Sequence, residues 1–183
     1  LDTAGNERNR LHFKNLTTGD VQEASLADTD TVAWAADGQH VFYTVVDAAN
    51  RPYKVMRHRL GTAPTEDTLV YHETDEAFHA YVSRSRSQQN ILLNLWSIAT
   101  TEVRYLAANR PQDGFVPVMP RKTGVEYKAD HHTQGFYVLT NEGAPNFRMM
   151  LAPVGKPVAE WREVLAARED VTLQDVWAFE RYL

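Results

Sequence analysis

One stretch of this chain occurs twice. Residues 42–61 read FYTVVDAANRPYKVMRHRLG and residues 136–155 read FYVLTNEGAPNFRMMLAPVG, and the two align without a gap. Phe42 meets Phe136, Tyr43 meets Tyr137, Tyr53 meets Phe147, Lys54 meets Arg148, Met56 meets Met150 and Gly61 meets Gly155. Each copy is an aromatic and β-branched run, a polar loop (residues 47–52 and 141–146), a second run and a glycine, which is the pattern of a β-hairpin. The 94-residue offset is too long for one unit of a common array, but its half, about 47, is the period of a β-propeller blade. A weaker middle copy lies at that half-period, with Ile91-Leu92-Leu93 where Phe42-Tyr43-Thr44 stood. The expected fold is all-β: a partial β-propeller of about four blades over residues 1–183.

The remaining strands follow the same logic. Leu11, Phe13 and Leu16 begin a run that stops at Thr17-Thr18-Gly19-Asp20, an outer-hairpin turn. Residues 32–36 and 41–46 flank Asp37-Gly38, the strongest short hairpin signal in the chain. Residues 51–60 alternate, with Tyr53, Val55, Arg57 and Arg59 on one face and Lys54, Met56, His58 and Leu60 on the other. Further strands are expected at residues 68–72, 78–82, 90–96, 102–106, 115–120, 124–130 and 136–140. The tail is ambiguous: residues 160–168 have helix propensity, but repeat context favours an edge strand, followed by strands over 171–173 and 176–183.

An apolar share of 43% supports a sizeable core. The net charge of −5 argues mildly against nucleic acid as a partner and is also what an ordinary solvated surface carries. The chain has no cysteine, which removes disulfides and thiolate metal sites and fits a cytoplasmic setting. The longest apolar stretches, such as residues 91–93, are far too short for a membrane span, and no leader pattern opens the chain. Starting at Leu1 inside a turn-like stretch, it reads as a piece of a longer protein.

No residue set reads as an active site, so no catalytic, cofactor-binding or metal-ligating residue is expected. The Ser83-Arg84-Ser85-Arg86-Ser87 run could be a phosphorylation site or an anion patch, with Arg84 and Arg86 on one strand face, but a solvated blade surface is the preferred reading. His131 and His132 are adjacent on a strand, point to opposite faces, and could share a metal ion only in a turn. Ser25, Ser83, Ser85, Ser87 and Ser97 show no triad pattern, although sequence order alone does not exclude one. The chain has neither a Gly-x-Ser-x-Gly elbow nor a phosphate-binding glycine loop. Trp34, Phe42, Tyr43, Phe136 and Tyr137, at blade spacing, read as packing between blades.

The wording of the strands carries a resemblance. RPYKV with RH and LGT (residues 51–62), FKNLTTG (13–19), VAWAADG (32–38), LVYHETDEAF (69–78), TTEVRYL (100–106), PRKTGVEYKADH (120–131) and NFRMMLAP (146–153) follow one another in order. Together they resemble the propeller of the oligopeptidase B (protease II) branch of the prolyl oligopeptidase family of serine peptidases, over nearly the whole chain. The resemblance implies a seven-bladed propeller covering a C-terminal α/β-hydrolase domain with a Ser-Asp-His triad, which cleaves short peptides after Arg or Lys. It implies that the propeller gates substrate access, and that the residues reading the basic side chain belong to the hydrolase domain, outside this sequence. The expected partners are that hydrolase domain and short basic peptides, with no cofactor, nucleic acid or membrane. A fragment with open end blades is expected to self-associate. The alternatives are a stand-alone propeller that binds a protein or peptide partner, and the propeller of a prolyl-specific oligopeptidase.

Overall fold

The computed structural model describes residue 2, residues 5–22 and residues 25–179. Three antiparallel meanders follow one another. The first is β1 (Asn9–Leu11), β2 (Leu26–Trp34), β3 (His40–Val46), β4 (Pro52–Arg59) and β5 (Thr68–His72). The second is β6 (His79–Arg84), β7 (Asn90–Trp96), β8 (Thr101–Ala107) and β9 (Val116–Pro117). The third is β10 (Tyr127–His132), β11 (Gly135–Thr140), β12 (Arg148–Ala152) and β13 (Arg162–Leu165). Each is one blade. In every blade the second strand is nearly continuous in apolar residues because it is covered on both faces, by a neighbouring sheet or by the flanking segments at residues 11–13 and 176–178. The fourth strand is mostly exposed, as an outer edge must be.

The first strands converge and form the inner rim. The Val82 amide donates to Thr31 Oγ1 at 2.9 Å, joining β6 to β2, and the Arg86 amide donates to Asp130 Oδ1 at 3.2 Å. β10 begins 48 residues after β6, and the same step leads to residue 175. There the chain forms no ladder, but Val176 and Ala178 are buried against Tyr137, Leu139 and Leu151. They occupy the place of a fourth inner strand. At the other end, Lys14 bridges Val21 across the turn at Gly19, as the turn residues lead one to expect. The chain thus holds three whole blades with segments of neighbours on both sides, an all-β partial propeller.

Two seams form the main core. Phe42, Val55, Ala80, Val82, Ile91 and Leu93 fill the first, where Phe42 meets Phe115 edge-on at 5.8 Å between ring centres. Leu92, Val103, Tyr127, Phe136 and Val138 fill the second, with the Tyr105 and Phe136 rings 4.7 Å apart. The alternation in β4 is realised: Val55 enters the first seam, while Met56 and Leu60 pack with Phe13, Val41 and Tyr43 on the opposite face.

The structure departs from the ungapped repeat in one respect. Tyr43 pairs with Met56 and Val138 pairs with Met150, so β4 and β12 correspond at the 94-residue offset while β3 and β11 correspond at 95. Phe42 therefore occupies the position of Tyr137, not of Phe136, and the first blade holds one residue more between Tyr43 and Met56 than the third between Val138 and Met150, at the bulge where Val45 pairs with Lys54 and Val46 with Pro52. Tyr53 and Phe147 likewise part company: Tyr53 lies in β4, whereas Phe147 sits in the loop at φ 64°. The tail resolves as a single 3-10 turn, Val158–Glu160, and then the edge strand β13, not a helix. Residues 171–173 form no strand, and the last four residues of the expected strand 176–183 lie outside the described residues.

Candidate functional site: the inner rim between the second and third blades

A cleft of about 840 Å³ opens along the inner rim, bounded by β6, β7, β10 and residues 172–177. One end is built from the Ser-Arg-Ser-Arg-Ser run. Only Arg84 belongs to a strand. Residues 85–89 form the turn into β7, so the strand-face alternation expected for the two arginines stops there. Arg84 donates to the carbonyl oxygens of Gln88 and Trp34, tying its own turn to the first blade. Arg86 lies 3.7 Å from Asp130 Oδ2 and over the rings of Trp177 and Phe179, at 5.2 and 4.8 Å. Both arginines are connectors between neighbouring blades.

The same turn brings a serine, a histidine and an aspartate together, which the sequence order had not revealed. The Asn90 amide donates to Ser85 Oγ (3.1 Å), Ser85 and Ser87 hydroxyls are 3.0 Å apart, and Ser87 Oγ lies 2.8 Å from His131 Nδ1. Burial pushes the His131 pKa below its ordinary value despite the adjacent Asp130 charge. The imidazole is therefore neutral near pH 7 and shares a hydrogen bond with the Ser87 hydroxyl. Asp130 does not complete a relay. Its Oδ1 accepts from the amides of His131 (2.9 Å) and Arg86 (3.2 Å), and its Oδ2 accepts from the Ala178 amide at 3.1 Å. With its oxygens turned to the backbone, Asp130 does not orient the imidazole as a triad acid would. The group is an inter-blade clasp.

Adjacent His131 and His132 face opposite ways: the first packs against Phe136 and the second against Tyr137. Among the described residues no three His, Asp or Glu side chains are grouped to hold a metal ion. Ser25, Ser83 and Ser97 make local contacts with Arg10, Asn94 and the Thr100 carbonyl, respectively.

Two further buried polar groups escaped sequence reading because their members are far apart in the chain. Glu73 and Glu102, 4% and 3% exposed, both accept from the Arg121 guanidinium, which lies over the Phe78 ring. Burial alone would raise the Glu73 pKa; the Arg121 hydrogen bond, the Asp75 amide and the Tyr71 hydroxyl outweigh it and hold the carboxyl low. In the first blade, His58 Nδ1 and the Tyr43 hydroxyl each lie 2.7 Å from Asp67, and Phe13 stacks on the imidazole. The His58 and Asp67 side chains are only 1% exposed, so no substrate reaches them.

Comparison with known proteins decides what this scaffold is. The model of the prolyl oligopeptidase N-terminal β-propeller domain matches residues 1–183. The chain belongs to this family. Dipeptidyl aminopeptidase BI of Pseudoxanthomonas mexicana is 32% identical over 99% of this chain and 25% of its own length. Protease 2 of Moraxella lacunata is 29% identical over 96% of this chain and 26% of its own length. Oligopeptidase B from Leishmania major superposes with a TM-score of 0.88 at 28% identity, covering 95% of this chain and 25% of that one. The chain thus spans about a quarter of the length of the curated relatives it matches. Among the described residues no helix is long and apolar enough to cross a membrane.

Proposed function

We propose that this chain is the non-catalytic propeller segment of a serine oligopeptidase that cleaves short peptides after Arg or Lys. The single observation that carries this reading is the family match over the whole chain, since it ties the fold to a peptidase of which this segment is a quarter. In that reading the propeller docks on the parent's α/β-hydrolase domain and admits only short peptides. Acyl transfer is the work of that domain: a serine attacks, a histidine moves the proton, and an oxyanion hole holds the intermediate. The clasp at Ser87 and His131 supports a non-catalytic role, because the nearby carboxylate is engaged by backbone amides. Preference for Arg and Lys is supported by the likeness to Protease 2 and oligopeptidase B. The cytoplasm is the compartment that goes with this reading, for a chain without cysteine loses nothing in reducing surroundings. We also propose that the isolated segment self-associates through its open end faces.

The test is hydrolysis of a short chromogenic peptide ending in Arg, by this segment and by the full-length parent side by side. Activity in the parent alone is the expected result. Activity in the segment itself would overturn the non-catalytic assignment, and a parent that ignores Arg and Lys would overturn the substrate class.

A further inference from the structure

The far end of the rim cleft, away from Arg84 and Arg86, has a different chemistry. Trp96, at the end of β7, pairs across the ladder with Thr101, yet its indole is 49% exposed. The Thr101 amide donates to the Val125 carbonyl at 3.1 Å, and Thr101 Oγ1 donates to the Tyr127 carbonyl at 2.7 Å. Those bonds fix the backbone on both sides of Glu126 beside the strand end that carries Trp96. Glu126 lines the same cleft. Its amide is held by Asn141 Oδ1 at 2.8 Å, while its carboxylate forms no ion pair among the described residues. The other charges in the wall are engaged: Lys128 Nζ with Asp175 and the Gln174 carbonyl, Glu102 with Arg104 and Arg121, and Arg86 with Asp130. The cleft wall therefore holds one uncommitted carboxylate and, on the strand paired with Thr101, one half-exposed indole.

We infer that this end of the cleft is a subsite for a cationic side chain, a Lys or Arg of the peptide substrate that lies away from the bond being cut. An indole face and a carboxylate suit an ammonium or guanidinium group together, one by its quadrupole and the other by its charge. The cleft volume is of the size, about 300–1,000 Å³, that small ligands occupy. The guanidiniums of Arg84 and Arg86 lie at the opposite end of the rim, roughly 13 Å along the strand direction for four residues. They leave the Glu126 end negative. The subsite gives the propeller a part in choosing peptides as well as in excluding large ones. It rests on the proposed function above.

The test uses the full-length parent and paired chromogenic peptides cleaved after Arg, with Lys or norleucine at each of several positions upstream of that Arg. Wild type is expected to show a KM lower by about threefold to tenfold for Lys at one position, a difference expected from a single exposed cation contact. Glu126→Gln should remove most of that difference and Trp96→Leu should reduce it, each with kcat unchanged, and a difference that survives intact in Glu126→Gln overturns the subsite. Glu126→Lys should invert the difference. Glu126 has no ion-pair partner among the described residues to lose, so Glu126→Gln is expected to melt with the wild type. A parent that cleaves after Arg with equal KM for Lys and norleucine at every position overturns the subsite and leaves the proposed function standing. A parent that cleaves no Arg peptide overturns both.

Discussion

Arg121 holds two carboxylates that come from different parts of the fold, Glu73 from the link between the first and second blades and Glu102 from β8. Both acids are buried, so removing the cation leaves Glu73 without its ion pair and Glu102 with Arg104 alone. Arg121→Met is therefore expected to destabilise by about 3 kcal/mol or more, read as a lower urea midpoint with an unchanged slope. The pair Arg121→Met with Glu102→Gln should cost less than the two single changes added together, because the two residues share one interaction that either change alone removes. Acid acts on the same group. Glu73 binds fewer protons folded than unfolded, so its contribution is present above the ordinary carboxyl value of 4.5 and is lost as pH falls through the depressed folded value. His131 acts in a higher window. Its folded pKa lies below 6.5, so the unfolded chain takes up the proton first and stability declines as pH drops from 6.5 towards the folded value. The slope from this one proton is at most about 1.4 kcal/mol per pH unit. His131→Gln should flatten the melting temperature between pH 7 and pH 5 and leave the acid limb below pH 4.5 in place. A wild-type melting temperature that does not change from pH 7 to pH 5 would exclude the clasp as a titrating element.

At the scale of the element, the hairpin tips differ in what they demand of the chain. The turn between β10 and β11 leaves Gly135 at φ 141°, where an added Cβ would lie 2.4 Å from the Ala152 carbonyl oxygen on β12. Gly38, in the turn between β2 and β3, has φ 64° and open space around it. Gly38→Ala should cost about 1 kcal/mol, whereas Gly135→Ala must push β12 away and should cost several times more in thermal or urea unfolding. Hairpins of this kind were legible in the sequence because each needs only local information: Asp37-Gly38 for the turn, β-branched and aromatic residues for the strands. The exchange of Phe42 for Tyr137 was not legible. An aromatic pair at each end of the repeat aligns equally well one residue either way, and the true register depends on which face meets a neighbouring sheet. The tail is a similar case. Residues 160–168 satisfy helical spacing, yet β12 offers an open edge, and Arg162–Leu165 takes it. The clasp, the Arg121 group and the Glu126 cleft join residues 19 to 48 positions apart, so only the folded blades show them.

For the molecule as a whole, the ends matter most. Val32 on β2 corresponds to Val82 on β6 and Ala129 on β10, since each pairs with the equivalent residue of its second strand. Val82 and Ala129 are 3% and 9% exposed, whereas Val32 and the nearby Trp34 are each 43% exposed. The face that would receive a preceding blade is open. At the other end Trp177 and Phe179 are about as exposed, at 55% and 46%. Two complementary and different faces on one chain favour head-to-tail association, which forms rings or open strings. The isolated segment should therefore gain mass with concentration in light scattering, and Trp34→Lys should reduce that gain; a monomer at all concentrations would rule the contact out. The one-residue difference between the first and third blades has a practical side. A residue added in the middle of β3 or β4 would turn the following side chains from one seam to the other, whereas the extra residue sits at a bulge beside the hairpin loop and leaves both seams filled. Length changes are absorbed where the chain reverses. The exposed tip at Ala48 to Asn50 is thus the place to graft a tag, a fluorophore site or a second binding loop without disturbing a blade.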